Sequence, residues 1–424
     1  MLKKISQIFH KERQIVRNFS FLTFIQVLNA AVPLITTPYI LRVIGTDNFG
    51  KITACQAVFV FLITVCEFGF NITGARDVAI QKNDTAALSK TFSEVMTTKI
   101  WLLGVALVIF SSVVFYIPAA RSEWLLYLLT LPLLFGNAFD PLWFFIGAEE
   151  MSFLAYANLV NKALYLAAIF LFIRVETDYI WINGIFGISA IVSFLVGYVY
   201  LFRRFKPNFV WQPFSIVLRR ISSNFPFFTS SFALQICASA NVLILKSFQT
   251  DYQVGIFGIV QRIISVARLV LTSFASAVYA RVCTAVSRGD KAAVNSLFRN
   301  AYLPFLGLLL VGTVVAYFLS PFAIHFFMGQ PDVNAVALLR GHLLLPLVVA
   351  LNIPATLFIQ ALDRRRLYSG LVIVAAISSL MLNWFLTRSF DMWGTMWGTI
   401  GAEGVLLVGV CIGAWRIKNA FLKG

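Results

Sequence analysis

Charged residues are scarce in this 424-residue chain: they make up 12% of the sequence, whereas 59% of the residues are hydrophobic and the mean hydropathy is +0.84. A soluble globular domain carries about 25% charged residues, so this chain lacks the polar groups needed to cover its apolar surface in water. The composition excludes an ordinary soluble enzyme. It predicts a protein whose solvent is the lipid bilayer.

Motifs for metals, cofactors and catalysis are also missing. The three histidines share no motif, and the five cysteines have neither metal-binding nor redox spacing. The sequence contains no nucleotide-phosphate loop and no HExxH or GxSxG signature. The connections between apolar segments are too short for a soluble catalytic domain or an ATPase. We therefore predict no enzyme activity, no cofactor and no bound metal.

Positive charge is abundant, with a net charge of +16, but its location excludes nucleic acid as a partner. Most Lys and Arg residues lie in alternate connections between apolar runs, which is the pattern of membrane topology signals. Their bias predicts that both chain termini lie in the cytoplasm. The first apolar run, from about Phe19 to Tyr39, is longer than the core of a cleaved signal peptide, and we interpret it as a retained helix.

Apolar segments of about 20 residues, the length that spans a bilayer, occur about twelve times. They are 17–40, 52–73, 95–117, 124–147, 152–173, 179–202, 221–245, 255–280, 299–320, 336–361, 367–387 and 393–415. We predict an all-α membrane protein with two pseudo-symmetric six-helix bundles. The N-terminal bundle is residues 1–202, a basic cytoplasmic linker is 203–220, and the C-terminal bundle is 221–424.

Short matches between the two halves support an internal repeat. Three residues of the first half recur in the second half at a constant offset. Gly50, Gln56 and Arg76 correspond to Gly255, Gln261 and Arg281. Because each match falls at a span of the same rank, the pattern predicts a parallel repeat, as in some transporters.

The eighth predicted span, GIFGIVQRIISVARLVLTSFASA (255–277), carries two arginines. On a helical wheel Gln261, Arg262 and Arg268 share one arc, while Ile256 and Ile259 lie on the opposite flank, which we expect to face lipid. An arginine near the bilayer centre costs about 2.5–3.5 kcal/mol, so it needs compensation. Either each arginine pairs with an acid and locks helices together, or the arginines line an aqueous cavity and attract an anion. We favour the cavity for at least one of them.

Other ionisable residues inside predicted spans support such a cavity. Asn158, Asn161, Lys162 and Tyr165 lie on one side of the fifth span, because they are spaced three to four residues apart. The predicted substrate-binding residues are Arg262, Lys162, Arg268, Asn158 and Gln261. Glu67 and Asp140 are either counter-ions for Arg262 or Lys162, or sites for a coupling ion. Glu403 is predicted to be a helix-packing or ion-pair residue, and Arg340 to extend towards the membrane surface.

Several motifs resemble one family of membrane proteins. ITTPYILRVIGTDNFGKI (35–52) and EFGFNITGARDVA (67–79) resemble the first two spans of Wzx-type O-antigen flippases, which belong to the polysaccharide transporter family of the MOP exporter superfamily. FDPLWFFIGAEEM (139–151), ANLVNKALY (157–165) and GIFGIVQRI (255–263) resemble the fourth, fifth and eighth spans of that family. One departure is Ala280, where the family more commonly has Pro before the arginine.

The resemblance implies a two-lobed, V-shaped MATE-like exporter of the bacterial inner membrane, working by alternating access through a basic central cavity. Its substrate would be an undecaprenyl-diphosphate-linked oligosaccharide, moved from the cytoplasmic to the periplasmic leaflet. Coupling to H+ or Na+, contact with membrane lipids, and partnership with an O-antigen polymerase and chain-length regulator are implied as well. The alternatives are an exporter of another lipid-linked precursor or of drugs on the same fold, and a membrane glycan polymerase. The polymerase is disfavoured because the sequence lacks a large outer loop.

Overall fold

The computed structural model describes the backbone of residues 2–82 and 84–423, and the side chains of residues 24–82, 84–290, 292–364 and 366–417. All regular structure within these ranges is helical. The helices are α1 (Leu2–Glu67), α2 (Phe70–Gln81), α3 (Thr85–Tyr116), α4 (Pro118–Ser122), α5 (Trp124–Ala138), α6 (Leu142–Ala148), α7 (Met151–Phe172), α8 (Ile182–Arg204), α9 (Phe214–Gln235), α10 (Asn241–Phe248), α11 (Asp251–Ser287), α12 (Lys291–Leu297), α13 (Leu303–Met328), α14 (Val333–His342), α15 (Leu344–Ala361) and α16 (Arg365–Lys423). The chain termini, for which the charge pattern predicts a cytoplasmic location, lie outside the residues described.

Ten helical stretches in the described part of the chain are long and apolar enough to cross a membrane. Eight of them match single predicted spans. The other two, Phe24–Gln81 and Arg366–Ile417, have 58 and 52 residues. A straight helix of 58 residues would be about 87 Å long, almost three times the roughly 30 Å hydrocarbon core. Each therefore holds two spans, which agrees with the predicted total of about twelve.

Backbone breaks divide these two long stretches where the spans were predicted to end. In α1, Gly45 has φ 76° and ψ 170°, a conformation that glycine adopts without steric cost. In α16, Asp391 has φ 54° and ψ −138°. A third break, between α5 and α6, falls at Asp140-Pro141, because proline lacks the N–H that would continue the helix. The Asp140 carboxylate accepts a hydrogen bond from the Leu142 N–H (3.0 Å) and so stabilises the start of α6.

The chain forms two compact units. The N-terminal unit comprises Met1–Thr36 and Val58–Phe232, and its core is an aromatic cluster around Phe92 and Trp143. The C-terminal unit comprises Thr37–Ala57 and Ala233–Gly424. The second half of α1 thus packs with the C-terminal unit, although the sequence pattern assigned it to the first bundle. The predicted division into bundles 1–202 and 221–424 stays a prediction.

Part of the predicted lipid-facing flank of α11 is instead buried within the C-terminal unit. Ile256 and Ile259 are fully buried, whereas Val270, further along the same flank, is half exposed. The first turns of α11 pack so closely against α1 that a Cβ atom on Gly50 would lie 1.9 Å from the Asp251 carbonyl oxygen. The prediction was wrong for these turns because a helical wheel identifies an apolar side but not whether lipid or protein covers it.

The segment that joins α8 to α9 lies extended along α3 within the N-terminal unit. Three alternate backbone N–H groups donate to three hydroxyls that are spaced one helical turn apart. The bonds run from Asn208 N to Ser89 Oγ (3.1 Å), from Val210 N to Ser93 Oγ (3.0 Å) and from Gln212 N to Thr97 Oγ1 (3.3 Å). The spacing of the hydroxyls on α3 matches that of the N–H groups in the extended segment, because four helical residues rise about 6 Å and two extended residues about 6.6 Å.

Candidate functional site

The N-terminal unit contains a cavity of about 250 Å³ between α5, α6, α7 and α8. Its lining combines polar and aromatic side chains. The polar ones are Asn29, Asn137, Asp140, Asn158, Asn161, Lys162 and Ser193, and the aromatic ones are Phe145, Phe153, Phe186 and Phe194. Three of the four residues predicted to share one side of the fifth span, Asn158, Asn161 and Lys162, therefore line one cavity. The ring of the fourth, Tyr165, contacts Phe186 of the same lining, with centroids 5.0 Å apart. A substrate-binding role for Asn158 and Lys162 stays a prediction.

Two opposite charges line this cavity. The Lys162 ammonium lies 4.8 Å from the centroid of the Phe186 ring, which is a cation–π distance. The Asp140 carboxylate lines the same cavity, with one oxygen bonded to the Leu142 N–H. The cavity lining therefore carries one positive and one negative group, and the Asp140 carboxylate also interacts with the buried Lys99. A buried charged group needs such compensating contacts.

Two amide oxygens of the cavity lack hydrogen-bond donors. Asn158 Oδ1 and Asn161 Oδ1 are buried and accept no hydrogen bond from any described residue. Neighbouring polar groups are already used, since Asn137 Nδ2 donates to the Leu133 carbonyl (2.8 Å) and Ser193 Oγ donates to the Ala157 carbonyl (2.9 Å). Buried polar atoms in proteins almost always have a partner. The two amide oxygens are thus available to a ligand that donates hydrogen bonds.

Lys99 is the basic residue on which Glu67 and Asp140 converge. Its side chain on α3 is fully buried, and its charge interacts with both carboxylates. From the sequence alone, Arg262 or Lys162 was the predicted partner of these acids, and Lys99 was not among the candidates. Its presence inside the predicted span 95–117 was the signal that could have identified it. Hydropathy along the chain could not show that α1, α3 and the α5–α6 break bring the three groups together.

Arg262 lies in the C-terminal unit and contacts the second half of α1. Its Nη2 donates to Gln56 Oε1 (3.1 Å), and its guanidinium carbon is 5.5 Å from the Phe49 ring centroid. Gln56 and Gln261, which the internal repeat relates, both belong to this unit. The guanidinium is therefore held by an amide oxygen and an aromatic face, which are two of the contacts that favour a buried cation.

Gln261 and Arg268 take part in separate polar contacts of the C-terminal unit. Gln261 Nε2 donates to Asn241 Oδ1 (3.4 Å), and Asn241 Nδ2 donates to Thr399 Oγ1 (3.1 Å). Arg268 interacts electrostatically with Glu403, whose Oε2 accepts a hydrogen bond from Asn352 Nδ2 (3.2 Å). The predicted site residues thus fall into two groups: Lys162 and Asn158 in the N-terminal unit, and the other three in the C-terminal unit.

An ion-pair network in the N-terminal unit was not anticipated from the sequence. Arg220 on α9 bonds through Nε to Glu94 Oε2 (2.7 Å) and through Nη1 to Asp77 Oδ2 (2.7 Å). Glu94 is buried, with a side-chain exposure of 4%, and Arg219 is a further 3.6 Å neighbour. The sequence pattern indicated only a topology role for these arginines, because pairing between α2, α3 and α9 depends on long-range packing.

The fold and its buried polar groups together indicate the class of protein to which this chain belongs. Ionisable residues inside membrane-spanning helices mark substrate or ion pathways, and here Asp140 and Lys162 line a cavity in a multi-pass helical protein. This is the architecture of a membrane transporter.

The comparisons with known proteins identify the family. A model of the family described as "Polysaccharide biosynthesis protein" matches residues 15–280, and the chain belongs to this family. A protein of Escherichia coli (strain K12) is 26% identical over 93% of this chain and 94% of its own length, and one of Shigella dysenteriae is 22% identical over 92% and 98%. Both bear the name "Putative O-antigen transporter".

Solved structures show the same fold. An inward-facing multidrug resistance MATE family transporter of the MOP superfamily aligns with a TM-score of 0.76 at 16% identity, over 94% of this chain and 96% of that one. A MOP superfamily transporter from Pyrococcus furiosus aligns with a TM-score of 0.61 at 12% identity, over 97% and 96%. The predicted MATE-like fold and the resemblance to the polysaccharide transporter family are confirmed.

Proposed function

We propose that this protein translocates undecaprenyl-diphosphate-linked O-antigen oligosaccharides from the cytoplasmic to the periplasmic leaflet of the bacterial inner membrane. The observation that carries the proposal is the polar cavity inside the N-terminal unit. The family membership and the names of the two relatives, which match more than nine-tenths of the chain, support the same substrate class.

The chemistry of such a substrate fits the buried groups. A glycan headgroup with an anionic diphosphate cannot cross hydrocarbon unaided, whereas the polyprenyl tail stays in lipid. Amides and charged groups replace the water that the headgroup gives up. Arg262 and Arg268 supply positive charge for the diphosphate, while Lys162, Asn158 and Gln261 offer hydrogen bonds to the rest of the headgroup. Alternating access would carry the headgroup across, and both chain termini would remain in the cytoplasm.

The acids around Lys99 are proposed as the coupling site. Glu67 and Asp140 share one ammonium group, so a proton or Na+ that binds one carboxylate would weaken its attraction to the lysine. Such a competition links ion binding to the position of α3. In a cell the translocated units would pass to an O-antigen polymerase and its chain-length regulator.

Deletion of the gene in its source organism tests the function. We expect surface O-antigen to disappear and lipid-linked single repeat units to accumulate on the cytoplasmic leaflet, measured with leaflet-specific glycan labelling. A plasmid copy restores display. Units that accumulate on the outer leaflet would contradict the proposal and favour a polymerase. Unchanged O-antigen together with a changed drug resistance would favour a drug exporter.

In the same deletion strain, Lys162→Ala and Arg262→Ala are each expected to lower surface glycan roughly tenfold at normal protein abundance. Loss of a hydrogen bond to a charged group costs about 1.5–3 kcal/mol, and about 1.4 kcal/mol corresponds to a factor of ten. Quantitative glycan blots normalised to membrane protein give the measurement.

Arg288→Ala is the matched control for these variants, because Arg288 is an exposed basic residue at the end of α11. It should leave display unchanged. Loss of folded protein in both Lys162→Ala and Arg262→Ala would instead assign these residues a structural role.

A further inference from the structure

We propose that the cavity of the N-terminal unit binds one hydroxyl-rich sugar ring of the substrate and not its diphosphate. This inference rests on the proposed function and assigns one part of the substrate to one cavity. Three observations carry it: the size of the cavity, its balance of charge, and the kind of polar atom that is left without a partner.

The size limits the ligand to a small group. The cavity measures about 250 Å³, below the range of about 300–1,000 Å³ typical of pockets for drug-sized ligands. A complete oligosaccharide repeat unit exceeds this space. A single sugar ring is a group of the right scale, and the rest of the headgroup would remain outside the cavity.

The charge balance disfavours an anion. Lys162 and Asp140 line the cavity together, and the Lys162 ammonium already contacts the face of Phe186. Lys99 and Glu67, which interact with each other close to Asp140, add one further positive and one further negative charge. A diphosphate would enter a site without net positive charge and would face a carboxylate, and like charges in a poorly solvated site repel strongly.

Among the described residues the lining has Lys162 as its one basic group and lacks arginine. Arginine is the residue that binds phosphate in a bidentate manner. A sugar ring, in contrast, carries hydrogen-bond donors that match the acceptor atoms of the lining. Its hydroxyls donate hydrogen bonds, and the buried Asn158 Oδ1 and Asn161 Oδ1 accept none within the described chain.

Aromatic side chains complete the complementarity. Phe145, Phe153 and Phe194 line the cavity beside the amides, and Phe145 and Phe153 contact each other with ring centroids 4.9 Å apart. The carbon faces of a sugar ring are apolar and pack against aromatic rings, while its hydroxyl edge meets amide and carboxylate groups. Planar amides, a carboxylate and aromatic walls are therefore suited to a ring that is polar at its rim and apolar on its faces.

A labelling experiment on the full-length protein in lipid nanodiscs tests the inference. Ala157 lines the cavity, so Ala157→Cys is introduced into a variant in which the five native cysteines are replaced and which still restores surface glycan in the deletion strain. The rate of maleimide labelling is measured without ligand and in the presence of each of three ligand probes. They are lipid-linked oligosaccharide extracted from the deletion strain, the oligosaccharide released from that lipid, and undecaprenyl diphosphate.

We expect both glycan-bearing probes to slow labelling at least about fivefold, which corresponds to about 1 kcal/mol of binding-dependent protection, and undecaprenyl diphosphate to have no effect. Adding Asn158→Leu, which removes an acceptor at similar volume, should abolish the protection. Tyr156→Leu is the control, because Tyr156 is an exposed neighbour on α7 that does not line the cavity.

Each other outcome overturns the inference in a distinct way. Equal protection by undecaprenyl diphosphate would make the cavity an anion site and leave the proposed function intact. Absence of protection by every probe, while the cysteine variant still restores surface glycan, would exclude the glycan from the cavity and again leave the function intact. If the deletion strain accumulates no lipid-linked oligosaccharide, the proposed function itself fails.

Discussion

Replacement of Arg220 by alanine is expected to destabilise the protein by about 3–5 kcal/mol, the typical cost of removing one partner of a buried ion pair. Arg220 holds Glu94 and Asp77, each at 2.7 Å, and the Glu94 side chain is only 4% exposed. Without the guanidinium a carboxylate stays buried with Arg219 as its nearest remaining cation, at 3.6 Å. The loss should appear as a lower midpoint of thermal unfolding, measured by size-exclusion chromatography of detergent-solubilised protein.

Arg219→Ala is the matched control, because its side chain is 65% exposed and exposed ion pairs contribute about 0–1 kcal/mol. Glu94→Gln in the Arg220→Ala background should recover part of the loss, since it removes the uncompensated charge, and this non-additivity is a property of contacting residues. If Arg220→Ala were as stable as Arg219→Ala, the ion-pair network would make no measurable contribution to the stability of the protein.

Gly50→Ala and Gly255→Ala are each expected to lose most of the folded protein. A Cβ atom on Gly50 would lie 1.9 Å from the Asp251 carbonyl oxygen, and one on Gly255 would lie 2.2 Å from that of Thr46. Both obstacles are backbone atoms, so α1 and α11 must separate. Overpacking typically costs about 1–3 kcal/mol, and here the close approach of the helices, which small residues allow in membranes, is lost as well. Abundance of folded protein in the membrane gives the measurement.

The control for these glycines is Gly104→Ala. A Cβ atom there would meet no atom within 4 Å, and alanine is favoured over glycine in a helix by about 1 kcal/mol, so this variant should be at least as stable as the parent. Because Gly50 and Gly255 lie at one contact, the double variant should be less destabilised than the sum of the single ones. Normal abundance of both single variants would contradict the observed helix contact.

The amino-acid sequence determined the helical class, the number and approximate ends of the spans, the break at Asp140-Pro141 and the shared side of Asn158 and Lys162. These features depend on hydropathy, on proline chemistry and on helical periodicity, all of which act between residues near in the chain. The membrane solvent makes such local signals strong, because a spanning segment must satisfy its own backbone hydrogen bonds.

The tertiary structure alone decided which charged groups meet. It gave Glu67 and Asp140 the common partner Lys99, assigned Lys162 and Arg262 to different units, and joined Arg220 to Glu94 and Asp77. It also covered Ile256 and Ile259 with protein where the helical wheel predicted lipid. The physical reason is that the partner of a charged side chain depends on how helices that are distant in the chain pack together. In addition, the apolar pattern of a helix is the same whether lipid or another helix covers its apolar surface.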